Sequence, residues 1–445
     1  MKETIRVIQT VKDNGDRFTE KANLQWKSGA SDQPVKLELN GEIRFQRIMG
    51  FGGAFTEAAA TTLAKISPEL RAEVIRNYYH PTEGLGYTLG RTHIHSCDFA
   101  LGNYTYVAEN DEKLETFDIS HEKEYVIPMI KDAMREAGQP LTVLSSPWSP
   151  PAWMKTNGEM NNGGKLKPEF RAAWARYFAK YIRAMAAEGI DVWGVTVQNE
   201  PEATQTWDSC RYSAEEERDF VRDYLGPILA EEGYGDKAIV IVDHNRDLLP
   251  DRPERILSDP EAARYIWGTG IHWYVSEEFE NLSKVHDAFP NKHLLFTEGC
   301  IEGGVQPGSW ATGERYGRNI IGDLNNWLEG WLDWNLALNE FGGPNHVGNY
   351  CDAPVIADTV TGEVRYNSSF YYIGHFSKYI RPGAERIRCK QNSPLLQSTA
   401  FINEDGTIAV VVMNVQDAPV KFALTHGGLA SETEVPAHSI TTYLF

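Results

Sequence analysis

The stretch Trp193–Glu202, WGVTVQNEPE, decides the fold because its character changes within a few residues. The apolar run Trp193–Gln198 has the length of a strand and ends in the polar sequence Asn199-Glu200-Pro201-Glu202. A longer pattern of helical spacing follows it. Runs of this kind, each followed by a helical pattern, recur along the chain and predict alternating strands and helices.

Eight such runs are present. They cover Ile48–Gly53, Tyr87–His95, Leu141–Ser146, Trp193–Gln198, Ala238–Val242, Thr269–Tyr274, His293–Thr297 and Gly330–Asn335. Helix starts are marked between them by Ser67-Pro68, by Pro168 and by the capping box Ser213–Glu216. Eight βα units predict the α/β class and a parallel (β/α)8 TIM barrel.

The two ends of the chain carry a different pattern. Asn14-Gly15 and Asn40-Gly41 each lie between alternating apolar residues and predict two β-hairpins. Beyond residue 380, Ile408–Met413 and Thr441–Phe445 predict further antiparallel strands. We therefore expect 1–45 and 380–445 to form an all-β sandwich side domain built from both termini, and 46–379 to form the barrel.

Composition excludes several partners. The formal net charge of −19 disfavours binding to nucleic acid or to anionic lipid. The sequence has no apolar run of the ~18 residues that a membrane-spanning helix needs, and its first residues do not resemble a secretory signal. The five cysteines are widely spaced and form no CxxC pair, which favours reduced thiols. These features predict a cytoplasmic enzyme without stable membrane insertion.

The residues that follow the predicted strands are polar or aromatic, where an apolar core would select neither. They include His93, His95, Asp98, Trp148, Asn199, Glu200, Asp243, His244, His272, Tyr274, Glu298, Trp334 and Asn335. Active sites of TIM barrels lie at these strand ends. Aromatic rings suit the C–H face of a pyranose, and carboxylates and amides suit its hydroxyl groups, so the pattern predicts a sugar-binding site.

Two carboxylates in this set predict the chemistry. Glu200 ends the fourth strand and Glu298 ends the seventh, on opposite sides of the barrel mouth. Glycoside hydrolysis needs one carboxyl group as acid and a second as nucleophile, ~5–5.5 Å apart when configuration is retained. We expect Glu200 to be the acid/base with a raised pKa, and Glu298 to stay ionised beside Arg91, His272 and Tyr274.

At these residues the chain resembles the family 30 glycoside hydrolases, particularly their glucosylceramidase branch. The resemblance covers nearly the whole chain and is carried by Gly50–Gly53 with Phe55-Thr56-Glu57, Ser96–Phe99, Ser146–Trp148, Asn199–Pro201, His272–Tyr274, Glu298 with Cys300, Asp333–Asn339 and Gly342–Asn345.

The resemblance implies Glu200 as acid/base and Glu298 as nucleophile. By motif position it also implies a glucose-binding set, two residues that flank the nucleophile and a supporting arginine. The glucose-binding residues would be Asp98, Trp148, Asn199, Trp334 and Asn349, and the arginine would be Arg91. The flanking residues would be His272 and Tyr274, which we also expect to bind substrate. The implied substrate is a β-linked glycoside or glycolipid, and no cofactor or metal is implied.

Some loops depart from the glucosylceramidase pattern. The segment 203–210, the pair Asp243-His244 and the loop 301–310 differ, and such loops shape the side that holds the leaving group. Ceramide is therefore in question as the natural leaving group. The same machinery would also serve a β-1,6-glucanase, a β-xylosidase or a β-fucosidase. A non-catalytic carbohydrate-binding barrel is an alternative of another class.

Overall fold

A computed structural model of the protein describes residues 4–445. Its strands are β1 (Thr4–Val11), β2 (Thr19–Gln25), β3 (Lys27–Ser28), β4 (Lys36–Arg47), β5 (Gly50–Phe55), β6 (Leu89–Ile94), β7 (Thr142–Pro147), β8 (Val192–Thr196), β9 (Ala238–Asn245), β10 (Ile266–His272), β11 (His293–Glu298), β12 (Gly330–Asn335), β13 (Leu338–Asn339), β14 (Val355–Ala357), β15 (Val364–Tyr366), β16 (Glu385–Gln391), β17 (Gln397–Ile402), β18 (Ile408–Asn414), β19 (Val420–His426), β20 (Leu429–Val435) and β21 (Ser439–Leu444).

The α-helices are α1 (Glu57–Ala64), α2 (Pro68–Tyr79), α3 (Val126–Ala137), α4 (Arg171–Ala187), α5 (Ala214–Phe220), α6 (Gly226–Glu231), α7 (Asp251–Leu257), α8 (Pro260–Ala263), α9 (Glu280–Ala288), α10 (Ala311–Leu324) and α11 (Ser368–Ser377). Predicted helix starts are confirmed. The Ser67 side chain accepts a hydrogen bond from the backbone N–H of Leu70, and Ser213 and Glu216 form a reciprocal capping box.

The chain packs as two compact units. One comprises Met1–Gly50, Gln306–Gly330 and Tyr366–Phe445, and the other comprises Phe51–Val305 and Trp331–Arg365. Residues 1–3 of the predicted sandwich domain lie outside the described residues. Gln306–Gly330 falls inside the range predicted for the barrel, so the domain boundaries stay a prediction.

The predicted barrel is confirmed. Strands β5 to β12 form a closed barrel, and each strand pairs in parallel with its neighbour, as Arg91 of β6 does opposite Leu144 of β7. The predicted runs and the observed strands differ by at most a few residues at their ends. Because all eight strands run the same way, their polar carboxyl ends meet at one end of the barrel.

The strands from the two termini form a ten-stranded sheet in the order β2-β1-β21-β18-β17-β16-β4-β19-β20-β3. Its apolar residues form one core, which includes Ile5, Leu37, Val410 and Tyr443. The sandwich predicted from both termini is therefore confirmed. The hairpin at Asn14-Gly15 is confirmed as well, since β1 and β2 pair antiparallel around it.

The hairpin predicted at Asn40-Gly41 is wrong. β4 runs through this dipeptide without reversing and pairs with β16 on both sides of it. Asn40 lies opposite Arg388 and Arg44 opposite Ile387, so the intervening residues of β4 bulge from the ladder. Gly41 does not adopt the positive φ that a type I′ turn requires.

Across residues 4–445, none of the helices combines the length and the apolar character needed to cross a membrane.

Candidate active site

A cleft of about 280 Å³ opens at the carboxyl ends of the barrel strands. Both predicted catalytic glutamates line it, together with six of the seven residues predicted to bind substrate. Its lining is Asp98, Phe99, Trp148, Asn199, Glu200, Gln205, Trp207, His244, Asn245, Tyr274, Val275, Glu298, Cys300, Glu302, Trp334, Asn349 and Cys351. Its size is at the small end for ligand pockets and suits one or two sugar rings.

Arg91, a fully buried residue of β6, connects the strands that carry the two glutamates. Its Nη1 donates to Glu298 Oε2 at 2.6 Å and to the carbonyl oxygen of Thr297 at 3.1 Å. Its Nη2 donates to Asn199 Oδ1 and to Asp243 Oδ2, both at 2.9 Å, and its Nε donates to Ser146 Oγ at 3.1 Å.

These contacts use all five N–H groups of the Arg91 guanidinium. Burial alone would lower the pKa of Arg91, but the charges of Asp243 and Glu298 outweigh burial and raise it. The supporting role that the resemblance implies for Arg91 therefore has a geometric basis, because one cation fixes residues from several strands.

Glu298 ends β11 and is held by two donors. Arg91 occupies Oε2, and the Tyr274 hydroxyl donates to Oε1 at 2.8 Å. Both hydrogen bonds favour the ionised carboxylate. Burial, assisted by the charge of Glu200, nevertheless raises the pKa of Glu298 while His272 and Arg91 oppose the rise.

Glu200 follows β8 and contacts a histidine. Its Oε1 lies 3.2 Å from Nδ1 of His272, whose Nε2 lies 2.9 Å from Asp243 Oδ1. Burial opposes the charged form of His272, but Glu298, Asp243 and Glu200 together raise its pKa to about 9. Burial likewise acts to raise the pKa of Glu200, but the hydrogen bond with His272 and the coulombic effects of His244 and His272 together outweigh burial, and the pKa is lowered.

The resting proton therefore lies on His272, and the raised pKa predicted for Glu200 is wrong. Two carboxylates hold the buried imidazole in its charged form, which the sequence pattern of strand ends did not reveal. The proton is nonetheless shared across one hydrogen bond, so it belongs to the His272–Glu200 pair. His272 was also predicted to bind substrate, but it does not line the cleft and lies behind Glu200.

Glu200, His272 and Glu298 are close together, since one ligating atom from each lies within 4.8 Å of the others. Such a group has the donor types of a metal site. The oxygens of Glu298, however, already accept hydrogen bonds from Arg91 and Tyr274, and the positive charge of Arg91 adjoins this carboxylate. A divalent cation would have to displace these donors, so the residues present do not suit one.

Another carboxyl group of the cleft lining, that of Asp98, is held by two amide side chains. Asp98 Oδ2 accepts from Asn349 Nδ2 at 3.0 Å and from Asn345 Nδ2 at 3.2 Å. Burial raises the pKa of Asp98 to about 7, even though these hydrogen bonds oppose the rise. The rings of Trp148 and Trp334 stack nearby with centroids 5.2 Å apart.

Sequence reasoning missed the residues behind the cleft. Asp243 is fully buried, and its carboxylate accepts from Arg91, from His272 and from Thr297 Oγ1 at 2.6 Å. A second buried ion pair lies next to it: Arg252 donates to Glu217, whose Oε1 accepts from the backbone N–H of Val242 at 2.9 Å. The only signal in the sequence was the position of Asp243 at the end of a predicted strand.

The backbone at this point is unusual. Glu200, Val242 and Asp243 have φ values of +47°, +70° and +45°, in the left-handed region. That region is especially unfavourable for a β-branched residue such as Val242. Each such residue costs on the order of 1–3 kcal/mol and persists only where its surroundings hold it. The Glu200 N–H donates to the Asp243 carbonyl oxygen at 3.0 Å, so the two strained segments fix each other.

Comparison with known proteins agrees with this geometry. The model of the Glycosyl hydrolase family 30 TIM-barrel domain matches residues 48–380, and that of the Glycosyl hydrolase family 30 beta sandwich domain matches 383–443. Lysosomal acid glucosylceramidase of Mus musculus is 38% identical over 429 residues, covering 92% of this chain and 83% of that protein.

Two solved structures are similar along nearly the whole chain. SrfJ from Salmonella typhimurium superposes with a TM-score of 0.96 at 36% identity, and 99% of each chain is covered. The endo-β1,6-glucanase BT3312 superposes with a TM-score of 0.91 at 30% identity, again over 99% of each chain.

Proposed function

We propose that this chain, which belongs to glycosyl hydrolase family 30, hydrolyses β-glucosides with retention of configuration. Glycoside hydrolase activity follows from membership of the family. The sugar, the stereochemistry and the roles of individual residues are our proposal.

One observation carries the proposed mechanism. A carboxylate oxygen of Glu200 and one of Glu298 lie within 4.8 Å of each other. Retaining glycosidases hold their carboxyl groups ~5–5.5 Å apart, whereas inverting enzymes need ~6.5–9.5 Å to admit a water molecule. The spacing therefore supports direct attack by one carboxylate.

In the first step, an oxygen of Glu298 forms a bond to the anomeric carbon as the glycosidic bond breaks. The proton of the His272–Glu200 pair passes from Glu200 to the departing oxygen. Because Glu200 lines the cleft and His272 does not, Glu200 makes the contact with the substrate. In the second step, Glu200 accepts a proton from water, the hydroxide oxygen attacks the anomeric carbon, and the bond to Glu298 breaks.

The remaining cleft residues support a neutral hexose as the sugar that is bound. Asp98, Asn199 and Asn349 present acceptors and amide donors to hydroxyl groups, and Trp148 and Trp334 present aromatic faces. Glucose is favoured because a similar protein is named as a glucosylceramidase, and a glycolipid is accordingly one candidate substrate. A β-1,6-linked glucan is the second candidate, favoured by the likeness to an endo-β1,6-glucanase.

The test is hydrolysis of 4-nitrophenyl β-glucoside, with the anomers of the product followed by proton NMR from the first turnovers. We expect β-glucose to appear first and α-glucose to grow only by mutarotation. If α-glucose appears first, the retaining mechanism is wrong. If the nitrophenyl β-xyloside or β-fucoside is hydrolysed instead, the mechanism stands and the assigned sugar is wrong.

A further inference from the structure

His244 lines the cleft, and its side chain makes no hydrogen bond with residues 4–445. Its side chain is only 9% exposed, and its Nδ1 is buried with no donor or acceptor within reach among residues 4–445. Nearly all buried polar groups in folded proteins have a partner, so a buried imidazole without one needs an explanation. The other ring nitrogen, Nε2, is not buried and also makes no hydrogen bond with residues 4–445, so a ligand group that enters the cleft can pair with the imidazole there.

An irregularity in the backbone of β9 directs the His244 side chain toward the cleft. Successive residues of a regular strand point to opposite faces, but Asp243, His244 and Asn245 all face the site. The left-handed residues Val242 and Asp243 break the alternation, and the pairing of β9 with β10 shifts its register at the same point. Irregularities of this kind re-aim side chains beside active sites.

The position of His244 identifies the part of the substrate it would meet. It lies on the side of Glu200, the residue proposed to protonate the leaving oxygen, and its ring is 6.3 Å from that of His272. The glucose-binding residues Asp98 and Asn349 instead lie near Glu298. A group that reaches His244 therefore belongs to the leaving group and not to the glucosyl unit.

Burial lowers the pKa of His244, against the charges of Glu200 and Glu202, while Arg252 and His272 act with burial. The imidazole is thus neutral and offers one N–H donor and one acceptor nitrogen. A hydroxyl group also donates once and accepts, so it matches a neutral imidazole. An aryl or alkyl group without hydroxyl groups at this point would leave the imidazole without a partner.

We propose that His244 hydrogen-bonds a hydroxyl group of the leaving group, so that the enzyme prefers β-glucosides whose leaving group carries free hydroxyl groups, as a sugar does, over those whose leaving group has none. This inference rests on the proposed function and narrows its substrate class. It predicts a specificity-determining contact on the leaving-group side, separate from the proton transfer by Glu200.

The test compares wild type with His244→Phe and His244→Asn on two kinds of substrate. The first is 4-nitrophenyl β-glucoside, whose leaving group has no additional hydroxyl group. The second is a set of β-1,3-, β-1,4- and β-1,6-linked glucosyl-glucose disaccharides. Phe keeps a ring without polar atoms, and Asn keeps a donor and an acceptor. Thermal unfolding of both variants checks that each is folded.

For the best disaccharide, we expect His244→Phe to lower kcat/KM at least about tenfold more than for the nitrophenyl substrate. His244→Asn should recover part of that difference. Equal losses on both substrates, with a shifted pH profile, would show that His244 acts through Glu200 and would overturn the inference alone. So would a wild type that cleaves only the nitrophenyl substrate. A wild type that cleaves no glucoside would overturn the proposed function as well.

Discussion

The two sides of the cleft hold their glutamates by different means. On the β11 side, Glu298 receives a permanent cation, Arg91, and a phenolic hydroxyl group. On the side of β8 and β9, Glu200 receives His272, whose charge depends on pH and on its neighbours. The first arrangement keeps a carboxylate in one place and in one charge state. The second arrangement allows a proton to transfer between His272 and Glu200.

The difference extends to the backbone. Glu298 ends β11 without a left-handed residue, whereas Glu200 and the segment Val242-Asp243 behind it are in left-handed conformations. A nucleophile needs only a fixed direction, while an acid that later acts as a base must also hold its proton donor in line. The strained side of the site is therefore the side on which the proposed mechanism moves a proton.

The largest expected effect is at Glu298, the proposed nucleophile. Glu298→Ala should lower kcat for 4-nitrophenyl β-glucoside by about 10⁴-fold or more, because the covalent intermediate cannot form. Added azide should restore turnover and give the α-glucosyl azide by a single inversion, identified by NMR. A β-azide from this variant would assign the nucleophile to another residue. Glu298→Gln controls for the volume of the side chain.

The next largest effect is expected at Glu200, the proposed acid/base. Glu200→Ala should lower kcat/KM for alkyl β-glucosides by about 10²–10⁴-fold, the usual contribution of general acid catalysis. The loss should be much smaller for 2,4-dinitrophenyl β-glucoside, whose leaving group needs no proton. Azide should here give the β-glucosyl azide. An equal loss across all leaving groups would contradict the acid role and remove the contrast between the two sides.

A smaller effect is expected at His272. His272→Gln should lower kcat/KM by about tenfold to a hundredfold, a part of the ~10²–10⁴-fold that acid catalysis contributes. The loss should follow the leaving group as it does in Glu200→Ala, because His272 acts through that residue. If kcat/KM fell equally for good and poor leaving groups, His272 would act through Glu298 instead of Glu200.

The pH dependence of stability tests the same pair. The pKa of His272 is raised from 6.5 to about 9 in the folded protein, so its charge stabilises the fold fully below pH 6.5. That contribution, on the order of 3 kcal/mol, is lost as pH rises through 9. The difference in free energy of unfolding between wild type and His272→Gln should therefore shrink between pH 6.5 and 9. A difference that stays constant over this range would mean that His272 is neutral.

The smallest effect on rate is expected at Glu217, which accepts a hydrogen bond from the backbone N–H of Val242. Glu217→Gln removes the charge that pairs with Arg252 and weakens the acceptor for the Val242 N–H. We expect the free energy of unfolding to fall by about 3 kcal/mol, because buried Arg252 loses its buried partner Glu217 and keeps only the more exposed Glu202 as a carboxylate partner. The rate loss should be smaller than in His272→Gln and confined to poor leaving groups. The double variant Glu217→Gln, Arg252→Gln should recover stability; further destabilisation by the second change would contradict the pairing.

The barrel was predictable because its signals are local. The apolar runs, the Ser67 cap and the capping box at Ser213 each depend on neighbouring residues. The Asn40-Gly41 hairpin failed for the opposite reason, since pairing with the distant strand β16 overrides the turn preference of the dipeptide.

The same distinction applies to the site. Strand ends indicated which residues meet in the cleft, and Glu200 and Glu298 are found there together. The hydrogen bonds that set their protonation join residues far apart in the chain, as Arg91 does with Asp243 and Glu298. No spacing rule links such partners, so the location of the proton on His272 could not be predicted.

The saturation of Arg91 has a consequence for the choice of sugar. Every N–H group of this guanidinium already binds a protein acceptor, so none is left for a ligand. Among the described residues that line the cleft there is no lysine or arginine, while Asp98, Glu200, Glu298 and Glu302 are acidic. The carboxylate of a uronic acid would lie among these acidic side chains without a lysine or arginine of the cleft lining to pair with it. The site thus discriminates by charge as well as by shape, and glucuronides should be rejected where glucosides are accepted.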